Sequence, residues 1–89
     1  MDVEVPPEYV RSSNEELVKV SYVGENAYEP VIGTVVRSFS VDLSIIHGKI
    51  EYIAGKPFGV LLVSLKGEAG ARFEAFDYLS THTYAVERV

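Results

Sequence analysis

Few side chains in this sequence can do chemistry, and their spacing argues for binding rather than turnover. His47 and His82 are the only histidines and there is no cysteine, so no closely spaced set of imidazoles and thiolates is available to hold a metal ion. Gly55-Lys56-Pro57 sets a glycine beside a lysine but lacks the spacing and the Ser or Thr of a phosphate-cradling G-x-x-x-x-G-K-[ST] loop, and no G-x-S-x-G elbow occurs. Hydrolysis of an acyl phosphate would require an arginine in a glycine-rich loop beside an asparagine, whereas Arg37 and Arg72 fall within helical patterns. No catalytic residue is therefore expected. His47, among Ile45, Ile46 and Lys49, reads first as a surface or interface histidine and second as a ligand contact; Asp42 and Glu51 read as solvated carboxylates at strand ends. Tyr22, Tyr28, Tyr52, Tyr78 and Tyr84 could form a stacking platform for bases, but packing accounts for them better once charge is considered.

The elements that must position these groups follow from hydrophobic period. From Leu17 the chain alternates, with Val18, Val20 and Tyr22 on one side and Lys19 and Ser21 on the other, which predicts a half-buried strand ending at Gly24. Pro30 suits a first helical turn, and Val31, Ile32, Val35, Val36 and Phe39 recur on one helical face. This predicts a helix of roughly ten residues, although the β-branched content leaves a strand open. Val41 to Ala54 alternates again, with Ile46, Gly48, Ile50 and Tyr52 on one face and Ile45, His47, Lys49, Glu51 and Ile53 on the other. Ala54-Gly55-Lys56-Pro57 breaks the run, and Phe58 to Lys66 resumes it, so the two form a hairpin. Phe73, Phe76 and Leu79, with Ala69 and Ala75 nearby, predict a second helix, and Tyr84 to Val89 a last strand.

The order βαββαβ predicts an α+β fold, a ferredoxin-like plait with a four-stranded antiparallel sheet and both helices on one face. The other face of such a sheet is bare, yet the strand from Phe58 to Lys66 is apolar on both sides, with Val60 and Leu62 opposed to Leu61, Val63 and Leu65. Leaving either set in water would forfeit about 1.5 to 3 kcal/mol per side chain. Two covers are available: the N-terminal arm, with Val3, Val5, Tyr9 and Val10, or a second subunit, which is the favoured reading. A homodimer with Val60, Leu61, Val63 and Leu65 at its interface is the corresponding expectation.

Composition bounds the function. Residues 1–15, with Pro6-Pro7 and Ser12-Ser13-Asn14, read as a linker or arm that docks loosely at most, and residues 16–89 as one domain. The net charge is −5, and most of it sits in the first sixteen residues, where Asp2, Glu4, Glu8, Glu15 and Glu16 oppose only Arg11. A nearly neutral remainder has no basic stripe to meet phosphates, which argues against nucleic acid as a partner and against anionic membranes. The longest apolar runs, such as Gly59 to Leu65, are far shorter than the roughly 20 residues of a membrane span, so a cytoplasmic domain is expected.

Residues 39 to 59 are specific. Phe39, Val41, Ile45, Gly48, Ile50, Glu51, Ile53, Gly55, Pro57 and Gly59 fall on the pattern F-N-V-x-x-N-I-L-x-G-x-I-E-x-I-x-G-x-P-x-G. The block resembles the NIL domain, the C-terminal regulatory domain of methionine ABC-transporter ATP-binding subunits. The likeness runs from Leu17 to Val89 through Gly24-Glu25, Pro30 and Tyr78-Leu79, and Pro7-Glu8-Tyr9 is similar to the joint before that domain. The resemblance implies a ferredoxin-like domain that pairs with its twin, binds L-methionine or a similar hydrophobic amino acid, and damps an upstream ATPase coupled to a membrane permease. Such a segment hydrolyses nothing itself, needs no cofactor, and lies at the inner face of the cell membrane. It also implies a head-group site at the start of the second strand, lined by Asp42, Ser44, Ile45, Ile46 and His47. The family's two asparagines fall here at Ser40 and Ser44, and a serine hydroxyl is shorter than an asparagine amide and offers fewer donors. Without the ligand, the same fold would serve as a dimerisation module.

Overall fold

The computed structural model describes residues 3–24 and 29–89; Glu25 and Tyr28, singled out above, lie outside them. Six elements follow in the order β1 (Glu15–Val23), α1 (Val31–Ser38), β2 (Asp42–Ile53), β3 (Lys56–Lys66), α2 (Ala69–His82) and β4 (Ala85–Arg88). The strands form one antiparallel sheet in the order β2-β3-β1-β4, which is the ferredoxin-like plait. β1 was legible from its alternation and β3 from its apolar run, and both are central strands of the sheet. Val18, Val20 and Tyr22 of β1 meet Val63 and Leu65 of β3, Val31 and Val35 of α1, and Ala75 and Leu79 of α2 in the main core.

Two local features depart from simple alternation. The β2–β3 ladder slips between Ile45 and His47, so Ile46 is a bulge. Ile45 therefore shares the helix-side face of its partner Val63, while Ile46 packs on the opposite face, the reverse of the expected assignment. The hairpin itself turns on Ala54 and Gly55 alone, both with positive φ (53° and 79°), so β3 begins at Lys56 rather than after Pro57. Positive φ at both central residues is the turn whose twist matches the flanking strands. A Cβ at Gly48 would stand 2.6 Å from Cδ2 of Leu61, so any side chain there obliges Leu61 to turn aside.

On α2 the inward residues are Ala75 and Leu79, with Ala71, Phe76 and Tyr78 at the flanks, so Phe73 falls outside the apolar stripe and stays exposed. His82 ends that helix, stacked on Tyr78 at 4.0 Å between ring centroids, with Nδ1 2.9 Å from the Tyr78 carbonyl oxygen. A histidine in the last turn suits the negative end of the helix dipole, which gives His82 a structural role.

The N-terminal arm packs on the second face of the sheet. Val3 is fully buried with Leu17 and Leu62, flanked by Val5, Tyr9, Ile46 and Val60. One valine contributes about 2 kcal/mol at most, while ordering each backbone residue costs about 1 to 2 kcal/mol, so apolar burial alone does not hold the arm. Polar anchors supply the rest. Asn14 accepts a backbone hydrogen bond from Gly67 at 3.1 Å, Arg11 donates to the Val89 carbonyl at 2.9 Å, and Glu15 gathers three donors described below. Together these contacts join residues 3–14 to the sheet.

Candidate functional site

The strand β2 is an edge strand, and nearly all of it is exposed. The structure distributes the five residues expected at a head-group site over three surroundings. Asp42 opens β2 at the pole where α1 ends, and lines a cavity of about 410 Å3 with Ser40, Asn14, Lys66 and Gly67. His47 lies on the arm side, where it joins Glu4, Val5, Pro6 and Pro7 around a groove of about 360 Å3 and stands 3.5 Å from the Glu4 carbonyl oxygen. Ser44 is cross-strand partner to Ser64 on the arm side, Ile46 packs under the arm, and Ile45 faces the helix side. Ser44, Ile46 and His47 thus share a face, Asp42 is next to them at the pole, and Ile45 is separated from them by the bulge. Within one chain this strip has one wall.

The four residues expected at a dimer interface are used internally. Val63 and Leu65 are completely buried in the main core and Leu61 packs against it, while Val60 packs at the margin of the arm-side cluster. β2 carries a run of uncovered apolar side chains: Ile45, Ile50, Tyr52 and Ile53 are each more than half exposed, as are the scattered Val10, Phe73 and Tyr84.

Sequence reasoning missed two places. The first is Glu15, whose carboxylate accepts hydrogen bonds from the Tyr9 hydroxyl, the Ser64 hydroxyl and, at 2.7 Å, the Ser12 backbone N–H. Burial pushes this carboxyl up, but the three donors, with Lys66 close by, outweigh it and hold the group at about 2 against an ordinary 4.5. Its position two residues before Leu17, in the same inward phase, was the available signal. The second is a cavity of about 180 Å3 at the opposite pole from Asp42, between the start of α1 (Glu29 to Gly33) and the sheet residues Tyr22, Ile50, Gly59 and Leu61. The Tyr22 hydroxyl is buried with no hydrogen-bond partner among the described residues, and burial raises its pKa to about 12, so at neutral pH it is a proton donor. Tyr22 was legible as core; its unpartnered hydroxyl was not.

No helix among the described residues is long and apolar enough to cross a membrane. Residues 16–88 match the family model of the NIL domain. Among curated proteins, the chain is 34% identical over 89 residues to the methionine import ATP-binding protein MetN 2 of Pectobacterium atrosepticum, covering 98% of this chain and 26% of that protein. It is 38% identical over 69 residues to the methionine import ATP-binding protein MetN of Rhodospirillum rubrum, covering 78% of this chain and 20% of that one. The chain spans about a quarter or less of the length of these relatives. Among solved structures, the C-terminal domain of an ABC transporter ATP-binding protein from Enterococcus faecalis superposes with a TM-score of 0.75 at 29% identity, covering 85% of this chain and 84% of that one. With the plait, the Phe39-to-Gly59 block and a family match across four of its four strands and both helices, this chain belongs to the NIL domain family.

Proposed function

We propose that this domain is a non-catalytic sensor of L-methionine, or a similar hydrophobic amino acid, that pairs with a second copy and inhibits the ATPase of a methionine importer to which it is joined. The observation that carries the reading is the free edge of β2. It bears Ser44, Ile46 and His47 along a strip with one wall, together with exposed Ile45, Ile50, Tyr52 and Ile53. A long apolar edge strand is a template for pairing with another chain, and a second copy laid along it supplies the missing wall. The arm already occupies the helix-free face, so the edge, rather than Val63 or Leu65, is where the partner sits. The parent chain would place the domain at the inner face of the membrane, next to its permease.

Two measurements test this. Sedimentation of the chain at micromolar concentrations is expected to show a dimer, and the double variant Tyr52→Lys with Ile53→Lys a monomer; a monomer for the unsubstituted chain removes the paired site. Calorimetry with L-methionine is expected to show that Ser44→Asn binds about tenfold more tightly, the worth of one hydrogen bond to a charged group. Equal affinities would place the head group away from Ser44, and a dimer that binds no hydrophobic amino acid in either form would be a dimerisation module only.

A further inference from the structure

The groove between the arm and β2 is walled by Glu4, Val5, Pro6 and Pro7 on one side and by His47 on the other, and no described residue of the inner strands lines it. It therefore lies at the margin where the sheet ends. At about 360 Å3 it exceeds the roughly 150 Å3 that suffices for a benzene-sized molecule, so a branched aliphatic side chain fits. The groove exists only while the arm is docked, because four of its five residues belong to the arm. On the same face of β2 as His47 lie Lys49, Glu51 and Ile53, and Ile53 is 55% exposed. Two copies of β2 laid edge to edge in antiparallel fashion are related by a two-fold axis perpendicular to the sheet, which keeps both arms on one face. Centring that pairing on Lys49 or on Glu51 would oppose like charges, whereas centring it on Ile50 sets Lys49 against the partner's Glu51 and Glu51 against the partner's Lys49. In this charge-matched register the partner's Ile53 stands opposite His47, on the arm side, at the mouth of the groove.

From this juxtaposition we infer that the arm is part of the interface between two copies: the partner's Ile53 seats in the groove between the arm prolines and His47, so docking of the arm and pairing of the β2 edges form one coupled equilibrium. The inference rests on the pairing of β2 proposed above and is independent of which amino acid, if any, the domain binds. Each copy offers one Ile53 and one groove, so the contact is made twice about the two-fold axis. A released arm opens the groove and leaves each Ile53 in water. By linkage the effect runs both ways, and pairing protects the arm by the same factor that arm docking tightens the pair. Whatever precedes residue 3 in the parent chain then acts on the pairing of the domains through the arm, and pairing acts back on it.

The test is the dimer dissociation constant of the 89-residue chain by sedimentation, read beside amide exchange at Val5 and Tyr9 of the arm. Val3→Asp releases the arm without touching the edge, since Val3 packs on Leu17 and Leu62 and does not line the groove. It is expected to weaken the dimer about tenfold or more, the worth of two half-exposed isoleucines taken from water. Ile53→Ala, an exposed position, is expected to weaken it by a similar factor, and the double variant no further, because both changes remove the same contact. In the unsubstituted chain, Val5 and Tyr9 are expected to exchange more slowly well above the dimer constant than well below it. An unchanged dimer constant in Val3→Asp with unprotected arm amides, or multiplied effects in the double variant, would overturn the inference and leave the pairing of β2 standing. Arm exchange that ignores concentration in a chain that does dimerise would do the same, and this measurement and Ile53→Ala decide the matter if Val3→Asp fails to fold. A chain that stays monomeric removes the pairing and this inference together.

Discussion

Glu15 should be the latch of the arm, and replacing it should release residues 3–14 from the sheet. Its carboxylate holds Tyr9 and Ser12 of the arm and Ser64 of β3 at one point, and the residue is 9% exposed. Hydrogen bonds to a charged group are worth about 1.5 to 3 kcal/mol each but do not add when they share an acceptor. Glu15→Ala also strands the Ser64 hydroxyl, itself 1% exposed. A loss of about 2 to 4 kcal/mol is therefore expected, near the upper range of single substitutions. The pH dependence has a definite sign. Because the folded-state pKa is depressed, to about 2 from 4.5, the stabilisation is fully present above pH 4.5 and is lost as pH falls towards 2. A depression of that size corresponds to a ceiling of about 3 kcal/mol. Urea unfolding by circular dichroism at several pH values, with amide exchange at Val3 and Ser12, reads both effects. Wild-type stability should fall between pH 5 and pH 2 by more than that of Glu15→Gln, with arm amides losing protection first. If Glu15→Gln shows the same acid slope as wild type, or Glu15→Ala costs less than about 0.5 kcal/mol, the latch does not exist.

Two further substitutions test the packing. Leu62→Ala empties the centre of the arm-side cluster, where Leu62 is fully buried against Val3 and Leu17; it should cost about 2 to 3 kcal/mol in urea unfolding, at the low end for such changes because the arm can settle inward. Ala54→Asn should raise stability by about 0.5 to 1 kcal/mol, since Ala54 sits at φ 53° in a two-residue turn where asparagine is the better tolerated side chain; a lowered thermal midpoint would contradict the turn assignment.

Hydrophobic pattern carried most of the fold: Val18, Val20 and Tyr22 mark the core face of β1 against polar Lys19 and Ser21, and the doubly apolar run of β3 marks a strand with neighbours on both faces, Leu61, Val63 and Leu65 among the core. It misassigned Ile45 and Ile46 because a bulge depends on where the partner strand pairs, and two adjacent isoleucines give no local sign of which one is turned away. Phe73 misled for a related reason: three-residue spacing with Phe76 and Leu79 looks like a stripe, but the close approach of α2 to the sheet is made by the small Ala75, and the large ring falls outside it. The arm was the larger surprise. Its acidic, proline-containing sequence resembles a linker, and the hydrogen bonds that Glu15 accepts from Tyr9, Ser12 and Ser64 form only once β3 pairs with β1. Of the β2 residues, the sequence placed all five on one short segment, but a one-dimensional spacing cannot tell which of them a bulge will turn away.

The same distribution of covers constrains how two copies can meet. With α1 and α2 on one face and the arm on the other, each central strand is satisfied within the chain, and β4 presents only four residues at its edge. The twelve residues of β2 remain, with an unpaired row of backbone groups and side chains that include Ile45, Ile50, Tyr52 and Ile53. Proteins protect such edges with charge, and here Lys49 and Glu51, two positions apart on the arm side, are of opposite sign. Two antiparallel copies of β2 centred on Ile50 would set Lys49 against the partner's Glu51 and turn a protective pair into a cross-strand attraction worth about 0.2 to 1 kcal/mol on each side. Charge reversal at both positions together, Lys49→Glu with Glu51→Lys, should then preserve the dimer, whereas Lys49→Glu alone should weaken it. If the single and double variants sediment alike, the two copies meet in another register or along another surface.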